Sequence, residues 1–532
     1  MFDMLIRNGF VIDGSGRPGF AADVALSDGR IAAIGKADGS AARTLDADGC
    51  VVAPGFIDIH SHTDELVLAN PRVESKSTQG VTLEVSGNCG DSSAPRGGKQ
   101  PVAECSSWLR ECGFNPSWST MSEFLDVLDA TPMAINFATL VGHGTVREVA
   151  VGYSDRPPTD QELQEMRALV REAMQAGAFG ISSGLIYPPG CYAKTEEVVE
   201  LCRVAAEYGG IYATHMRNEA EAVVEAVEEA LRIGRESGAG VQISHHKACG
   251  VKNWGLVAKS LAVIDAALSD GGDVFLDQYP YLATSTGLGI MLPKWAHDGG
   301  NKALVARLSD PEQRARLRET VLQDMEAGYL ADSGGWDTVV LSSLKRDENK
   351  WCEGLSITQI AERLAKHPVD AAFDLLQAEG GSIGMMHFVI GEDDVRTVMK
   401  HPAVVIGSDA TARTFDGPMT TGKPHPRAYG TFARVLSKYV REENVLPLER
   451  AVAKMTGMPA RRLGLKDRGT IAVGNAADIT IFNPDTVEDT ATFDNPVSPA
   501  RGIRFVIVAG QVVLEDGAFT GAMPGKVLRH GG

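Results

Sequence analysis

Two histidines two residues apart, His60 and His62, give the first indication of chemistry. They directly follow the apolar run Phe56–Ile59, which has the composition of a buried strand. Side chains alternate along an extended backbone, so residues two apart point to the same side. Both imidazole rings can therefore approach one metal ion. Because His-x-His pairs also occur as ordinary surface or core pairs, further ligands are needed before a metal site is predicted.

Four more side chains of ligand type stand where other apolar runs end. Cys89, His215 and His245 each lie at or just after the end of such a run, and Asp409 follows another. If these runs are parallel strands of one barrel, their carboxyl ends converge on one face, where active sites are built. Thiolate, imidazole and carboxylate groups all bind metal ions in proteins. The spacing therefore predicts a metal site on that face.

The middle of the chain alternates short β-rich runs with amphipathic stretches, which is typical of parallel sheets covered by helices. Helices are predicted from about Ala220 to Glu236 and from Trp254 to Leu268. A closed (β/α)8 barrel takes eight strands, and the sequence offers nine candidates, of which the short His387–Ile390 is the predicted surplus. The nine are Phe56–Ile59, Val81–Val85, Ile135–Val141, Phe179–Ser182, Ile211–His215, Val241–His245, Val274–Gln278, His387–Ile390 and Val404–Gly407.

Both ends of the chain have a different sequence pattern, with short β-rich runs separated by Asp-Gly and Gly-rich turns. The predicted fold class is therefore α/β, a (β/α)8 TIM-like barrel with a small β-sandwich built from both termini. The sandwich takes residues 1–54 and 456–532, and the barrel takes 55–455. Residues from about 283 to 385 exceed a normal βα connection, which predicts an insertion over the barrel mouth.

Charge and composition exclude several classes of partner. The chain has 532 residues and a formal net charge of -18, so it lacks the basic surface that nucleic acids or anionic membranes require. Its N-terminus lacks a basic segment followed by an apolar run, and no apolar stretch reaches 18 residues, which predicts a cytoplasmic protein. Eight scattered cysteines without a C-x-x-C pair predict free thiols rather than a disulfide framework.

The sequence resembles the N-acyl-D-amino-acid deacylases of the amidohydrolase superfamily. The resemblance covers nearly the whole chain in the right order, and a cysteine stands where the superfamily usually has a bridging carboxylated lysine. The matching motifs are Gly55-Phe-Ile-Asp-Ile-His60-Ser-His62, Gly87-Asn-Cys89-Gly90, Gly142-His143-Gly144-Thr145, His215-Met-Arg-Asn-Glu219, Ile243-Ser-His245-His246-Lys247, Tyr279-Pro280-Tyr281, Ser408-Asp409 and His425-Pro426-Arg427.

This resemblance implies a zinc enzyme. Cys89, His215 and His245 would form one tight zinc site with a position open for water, as a catalytic zinc requires. A second, weaker site would be lined by His60, His62 and Asp409. Asp409 would also take the proton from the attacking water and pass it to the leaving nitrogen.

The same resemblance implies a small-molecule substrate, an N-acyl-D-amino acid that is hydrolysed to a carboxylate and a D-amino acid. Lys247, Arg427 and a tyrosine of the Tyr279-Pro-Tyr281 turn would hold its α-carboxylate, with Tyr279 preferred to Tyr281 on spacing. The loop from Asp409 to Arg427 is longer than the family usually has. Tyr187, which follows the predicted strand Phe179–Ser182, is a further candidate for substrate contact.

The preferred side chain is predicted from the segment Leu282–Pro293. Acidic-substrate members would need an arginine here to pair with a second carboxylate, and the segment has none. Lys294 is the nearest cation, and the insertion offers Lys345 or Arg346 as other possibilities. An unpaired carboxylate in an apolar pocket costs several kcal/mol. The N-acyl derivatives of neutral, apolar D-amino acids are therefore the predicted substrates.

Two other functions compete with this one. A cyclic-amide hydrolase of the hydantoinase or dihydropyrimidinase type shares the fold and the His-x-His, but it uses a bridging lysine where this chain has Cys89. A non-catalytic scaffold of the same fold would have lost several of the ligands, and all are present. The motif Gly180-Ile-Ser182-Ser-Gly184 matches the nucleophile elbow of serine hydrolases, but Pro188 and Pro189 prevent the helix that the elbow must open.

Several single residues have an ordinary structural interpretation beside a functional one. His246 follows His245 directly and must point elsewhere, which favours structural hydrogen bonding. His143 could reach the site or only pack near it. Cys202 lies on the apolar face of a predicted helix and is expected in the core, and Cys249 is left without a role.

Overall fold

A computed structural model of the chain describes residues 1–36, 39–97, 109–110 and 112–531. Cys105, one of the eight cysteines, lies outside the described residues. The other seven are free thiols. Within the described part of the chain, no helix is both long enough and apolar enough to cross a membrane.

Strands from both ends of the chain join in one sheet. Val51–Pro54 lies between the N-terminal and C-terminal parts, because it pairs parallel with the first strand and antiparallel with Ile479–Phe482. The buried side chains of Ile6, Val24 and Ile507 contribute to one core below this sheet. Among the described residues the sheet has nine strands, Phe2–Val11, Phe20–Ser27, Arg30–Gly35, Ala41–Asp46, Val51–Pro54, Ile479–Phe482, Ile503–Val508, Gln511–Glu515 and Ala518–Phe519.

The middle of the chain forms parallel strands in two groups. In the described residues the larger group has six strands, which in spatial order are Val404–Ile406, Val274–Gln278, Val241–Ile243, Ile211–His215, Gly180–Gly184 and Val141–Gly142. The smaller group has three, Phe56–Asp58, Val81–Ser86 and Asn136–Thr139. Only Leu140 separates Asn136–Thr139 from Val141–Gly142, so one chain segment belongs to both groups.

Helices follow most of these strands. In Val223–Ser237 the buried residues Val223, Ala226, Val227, Ala230 and Ile233 recur at helical spacing and form one apolar face. In the part of the chain that the structure describes, the α-helices are Glu74–Ser77, Met121–Asp129, His143–Ala150, Asp160–Ala176, Thr195–Glu207, Val223–Ser237, Leu256–Ser269, Gly300–Ser309, Pro311–Ala327, Tyr329–Asp332, Ile357–Leu364, Pro368–Ala378, Glu392–Lys400, Arg427–Arg434, Leu448–Met455 and Gly457–Arg462, and a π-helix spans Val435–Glu442.

Shorter 3-10 helices occur in the connections. They are Asp64–Leu68, Gly190–Tyr192, Val251–Asn253, Leu288–Met291, Lys294–His297, Gly335–Asp337, Asp347–Cys352 and Pro418–Thr420. One of them, Leu288–Met291, lies in the segment Leu282–Pro293 that the sequence associates with side-chain preference, and Lys294–His297 directly follows that segment.

The long segment after Val274–Gln278 contains an antiparallel sheet and a core of its own. Within the described residues the sheet has three strands, in the order Ala283–Gly287, Gly384–Phe388 and Val339–Ser343. Buried residues such as Trp336 and Phe373 form a hydrophobic cluster separate from the main one. His387 pairs in this sheet, so the candidate strand His387–Ile390 does not join the parallel strands.

Candidate metal centre

Cys89 stands in a tight turn after the strand Val81–Ser86 and has a left-handed backbone, with φ of 54°. Ser182 from the strand Gly180–Gly184 fixes this turn: its hydroxyl donates to Gly87 O at 2.5 Å and accepts from Gly90 N at 3.0 Å. A Cβ at position 90 would lie 2.6 Å from Gly184 N, so only glycine fits there. The serine of the Gly-x-Ser-x-Gly motif is thus buried beneath the cysteine turn.

Cys89, His215 and His245 form one cluster of ligand atoms. Cys89 Sγ lies 3.8 Å from His215 Nδ1 and 3.5 Å from His245 Nε2. All three ligand atoms fall within 4.8 Å of one another. Both imidazoles are buried and the thiol is partly buried. The sulfur therefore faces one nitrogen of each ring.

A second cluster contains His60, His62, Asp409 and again Cys89. Asp409 Oδ1 lies 3.0 Å from His62 Nε2 and 3.4 Å from His60 Nε2. The sulfur of Cys89 lies 3.4 Å from the same His60 nitrogen. Cys89 therefore belongs to both clusters, whereas the sequence assigned it to the first alone.

The charges around the thiol and the carboxylate favour their anionic forms. Burial raises the pKa of the Cys89 thiol, but the neighbouring His60 and His245 outweigh burial and hold that pKa well below its usual value. Burial likewise raises the pKa of Asp409, and Arg427 together with His245 and His60 holds it well below its usual range. A thiolate and an ionised carboxylate are the forms that a cation requires.

Two carboxylates that the sequence did not single out contact the outer sides of these rings. Asp277 Oδ1 lies 2.9 Å from His60 Nδ1, and Glu219 Oε1 lies 2.9 Å from His245 Nδ1. A carboxylate on the outer nitrogen orients a ligand imidazole and leaves the inner nitrogen free for the metal. Glu219 could have been suspected, because it stands four residues after His215 in a motif that the resemblance includes.

The donor set of the first cluster suits zinc. A thiolate and two imidazoles are protein ligands of catalytic zinc sites, with the fourth position left to water or substrate. The outer nitrogen of His245 contacts a carboxylate, as such sites require. The residues present therefore fit the metal that the sequence led us to expect.

Two cavities meet at this centre. The first, of about 370 Å³, has an apolar wall that includes Ile290, Met291 and Met385. The second, of about 360 Å³, lies on the side of His62 and Gly144. Tyr187, Ser285, Thr286 and Asp409 line both cavities. Thr286 donates to the Tyr187 hydroxyl at 3.1 Å, so this pair stands at the junction.

The structure places the predicted substrate residues around these cavities. Tyr279 and Lys247 line the first cavity, Arg427 lines the second, and Tyr187 lines both. Arg427 Nη1 lies 2.7 Å from Asp409 Oδ2, so the long loop between them does not keep the arginine away. Tyr281 instead packs edge-on against His425 and donates to Pro426 O at 3.4 Å.

Other residues with two interpretations also have definite places. His246 Nε2 lies 2.8 Å from Ser260 Oγ, and His143 Nε2 lies 2.9 Å from Glu197 Oε1. Cys202 is fully buried in the core, and Cys249 lines the first cavity. Lys294 lines that cavity too.

The two cations of the insertion stand elsewhere. The backbone amides of Lys345 and Arg346 donate to Glu379, and Arg346 pairs with Glu348. Neither residue is among those that line the first cavity.

Comparison with known proteins agrees with this geometry. The sequence model described as "Amidohydrolase family" matches residues 43–514. A D-aminoacylase of Alcaligenes xylosoxydans xylosoxydans is 40% identical over 534 residues, 99% of this chain and 97% of that protein. The chain belongs to the amidohydrolase family. Within that family its resemblance to the D-aminoacylases and N-acyl-D-amino-acid deacylases is confirmed.

Two further relatives place this amidohydrolase more closely. An N-acyl-D-glutamate deacylase of the same Alcaligenes is 39% identical, with 99% of this chain and 96% of that protein covered. A crystal structure of N-acyl-D-glutamate deacylase from Bordetella bronchiseptica, with zinc and a phosphonate mimic of the tetrahedral intermediate, superposes with a TM-score of 0.83. It is 36% identical, and the match covers 99% of both chains.

Proposed function

We propose that this amidohydrolase is a zinc-dependent N-acyl-D-amino-acid deacylase, which cleaves the amide bond and releases a carboxylate and a D-amino acid. The observation that carries the proposal is the convergence of Cys89, His215 and His245 with Asp409 where the two cavities meet. Two cavities flanking one centre suit a substrate with two halves joined by the scissile bond. The names of the relatives support the same reaction.

We further propose that the two groups of parallel strands are one closed eight-stranded barrel. Asp409 N donates to His60 O at 2.8 Å, and Ser61 forms a parallel bridge with Ala410, which joins the first and last strands. On this view the terminal sheet, from residues 1–54 and 456–532, folds over as a small sandwich, and about 283–385 is an insertion over the mouth of a barrel spanning 55–455. The metal then lies at the carboxyl ends of the strands.

The tight zinc site is assigned to Cys89, His215 and His245, and a second, weaker site to His60, His62 and Asp409. The shared sulfur of Cys89 supports a pair of adjacent sites. When bound, zinc supplies a Lewis acid that polarises the acyl carbonyl and acidifies water.

Asp409 carries the proton. Its Oδ1 faces His62 while Oδ2 is held by Arg427 at 2.7 Å, so the carboxylate is ionised and fixed in direction. As a base it accepts a proton from the attacking water, and as an acid it returns that proton to the leaving nitrogen. One fixed carboxylate beside both cavities can perform both proton transfers.

Three side chains hold the α-carboxylate of the substrate. The guanidinium of Arg427 lies 4.7 Å from the centre of the Tyr279 ring, and Lys247 Nζ lies 5.8 Å from it. The Tyr279 hydroxyl is buried and has no hydrogen-bond partner among the described residues, so it is free to donate to a ligand. Tyr187, at the junction, contacts the substrate near the scissile bond.

The first cavity receives the D-side chain and favours neutral, apolar ones. Ile290, Met291, Leu292 and Met385 supply an apolar wall. Burial of a Leu- or Met-sized side chain against such a wall gains roughly 1.5–3 kcal/mol. Besides Lys247, this cavity is lined by Arg217, which pairs with Glu229 at 2.8 Å, and by Lys294, the cation that can reduce this preference.

The stereochemistry of hydrolysis tests the proposal. The protein, with its zinc content measured, is assayed with N-acetyl-D-methionine, N-acetyl-L-methionine and hydantoin. We expect the D-compound to be hydrolysed faster than the L-compound by orders of magnitude. Only one configuration at Cα can place the α-carboxylate on Lys247, Tyr279 and Arg427 and the acyl carbonyl on the metal at the same time. Preference for hydantoin would favour the cyclic-amide hydrolases instead. Absence of all hydrolysis at full zinc occupancy would favour the non-catalytic scaffold.

A further inference from the structure

Glu219 is a buried carboxylate that the proposed mechanism has not used. It lies in the turn between the strand Ile211–His215 and the helix Val223–Ser237, and its side chain is 9% exposed. The turn is held from two sides: Asn218 Oδ1 accepts from Ala220 N at 2.7 Å, and Glu219 O accepts from Cys249 N at 2.6 Å. The carboxylate is therefore fixed between the two loops that follow His215 and His245.

Three functional side chains surround this carboxylate. Oε1 lies 2.9 Å from His245 Nδ1 and 2.7 Å from Lys247 Nζ, and Oε2 lies 3.5 Å from His215 Nε2. Both rings present their other nitrogen to Cys89 Sγ. Glu219 thus stands behind the tight metal site, on the side away from the sulfur.

Lys247 creates a conflict at His245. Its ammonium lies 2.8 Å from His245 Nδ1, close enough to donate a hydrogen bond to the lone pair of that nitrogen. A neutral imidazole has one N–H and one acceptor nitrogen, so acceptance at Nδ1 would place the hydrogen on Nε2. That nitrogen faces Cys89 and could then no longer bind a metal. The lysine alone would therefore select the wrong tautomer.

We propose that Glu219 is the positioning residue that keeps His245 in its metal-binding tautomer, by accepting the hydrogens of both His245 Nδ1 and Lys247. With both donors turned toward one carboxylate oxygen, Nε2 keeps its lone pair and the ammonium is held for the substrate. Glu219 also lines the first cavity, but in this role it contacts no reacting atom and acts through His245. This role rests on the proposed zinc site. It explains how His245 can bind zinc although Lys247 is adjacent.

Zinc affinity without substrate separates this role from general support of the fold. The dissociation constant for Zn²⁺ is measured by competition with a chromophoric chelator for the wild type, Glu219→Gln, Lys247→Met and the double variant. Loss of an outer-shell partner typically weakens metal binding 10–100-fold, and we expect this for Glu219→Gln. We expect near wild-type affinity for Lys247→Met. The double variant should regain most of the lost affinity, because the competing donor is gone, while its activity stays low.

Glu225→Gln is the matched control, since it removes an exposed charge from the first turn of the adjacent helix and should leave zinc affinity and turnover unchanged. Wild-type affinity in Glu219→Gln, or a double variant as weak as Glu219→Gln, would overturn the tautomer role. Failure of the wild type to bind zinc would instead contradict the proposed function.

A measurement on the unaltered protein covers the case in which Glu219→Gln does not fold. Burial lowers the pKa of His245, but Glu219, Asp409 and Cys89 outweigh burial and raise that pKa to about 9. The spectra are therefore recorded at about pH 10, where the ring is neutral. Long-range ¹H–¹⁵N spectra of the metal-free wild type then report the tautomer of each histidine, with His245 assigned by its loss in His245→Asn. We expect the Nδ1–H form. Observation of the Nε2–H form would overturn the inference.

Discussion

Cys89 is the side chain on which both ligand clusters depend. Its sulfur lies 3.4 Å from His60 Nε2 and 3.5 Å from His245 Nε2, so it stands between them. Replacement by alanine would leave two groups of imidazoles and carboxylates with no atom in common. A residue with this position is more sensitive to change than one at the edge of either cluster.

We therefore expect Cys89→Ala to lose both tightly bound zinc and activity, whereas His60→Ala should keep more zinc because the Cys89, His215 and His245 set remains. The measurement is zinc per chain after dialysis, with turnover of N-acetyl-D-methionine. Cys112→Ala, at an exposed thiol, is the control. One tightly bound zinc and near-normal turnover in Cys89→Ala would show the site assignment to be wrong.

Asp409→Asn separates proton transfer from metal binding. The tight cluster keeps its three ligands, so zinc content should be close to that of the wild type. Asparagine cannot accept the proton, and we expect kcat to fall by about 10²-fold or more, the scale of a positioned acid–base group. Steady-state kinetics at saturating substrate give the answer, and an unchanged kcat would remove Asp409 from the mechanism.

The ligand residues could be proposed from the sequence because their positions at the ends of apolar runs are visible in the sequence alone. The carboxylates behind the rings could not be assigned in the same way. Asp277 is an acidic residue inside the strand Val274–Gln278, and nothing local distinguishes it from a structural one. Its contact with His60 spans 217 positions of sequence. Such a pairing follows from the order of strands in space, not from spacing along the chain.

At the scale of elements, the best predictions concern strands with buried side chains on both faces. Ile211–His215 and Val274–Gln278 have the predicted bounds. The helix predicted from Ala220 begins at Val223, because Asn218 and the residues after it form a turn first. The strand predicted over Ile135–Val141 is interrupted at Leu140. The backbone amide of Leu140 donates to Ser86 O at 2.9 Å.

The sequence predicts an insertion over the barrel mouth at about 283–385, but not the sheet inside it. Ala283–Gly287 and Gly384–Phe388 come from opposite ends of the segment and pair side by side. This pairing brings Thr284 and Thr286 of one strand, and Met385 and His387 of the other, to the first cavity. This segment therefore supplies part of the wall of the first cavity, which we propose as the site of the D-side chain.

Lys294 makes the proposed side-chain preference testable. We expect kcat/KM for N-acetyl-D-leucine to exceed that for N-acetyl-D-glutamate, because Arg217, which lines the cavity, already pairs with Glu229 at 2.8 Å and is not free for a second carboxylate. In Lys294→Met any remaining activity on the glutamate derivative should fall further, with little change for leucine. Lys345→Met is the control, since that residue does not line the cavity. A higher kcat/KM for the glutamate derivative in the wild type would contradict the predicted preference.

At the scale of the whole molecule, buried cations join distant parts of the chain. Lys76, which is fully buried, donates to Asp58 Oδ2 and Ser408 Oγ at 2.5 Å and to Ala410 O at 2.7 Å. It therefore connects the first parallel strand to the turn that carries Asp409. Removal of one partner from such a buried pair is strongly destabilising, so this network is a condition for the geometry of the metal centre.

Lys454 is a second buried cation, but it has no carboxylate partner among the described residues. It lies on the helix Leu448–Met455, and its ammonium donates to His401 O at 2.6 Å and Val404 O at 2.8 Å. Burial, with a smaller effect of Arg450, lowers the pKa of Lys454 from 10.5 to about 7. In the unfolded chain the same amine keeps its ordinary value and stays protonated up to higher pH.

The sign of the resulting pH dependence follows from proton binding in the two states. Below about pH 7 both states are protonated, and the folded protein bears the full cost of a buried charge. Between about 7 and 10.5 the unfolded chain binds more protons than the folded one, so this contribution to stability rises with pH. We therefore expect Lys454→Met to stabilise the protein most at pH 7 and below, by up to about 5 kcal/mol at 1.36 kcal/mol per pKa unit, and less as pH approaches 10. Urea unfolding of wild type and variant across this range measures the gain, with the exposed Lys466→Met as control. A gain that is independent of pH would mean that the amine is not the group that titrates.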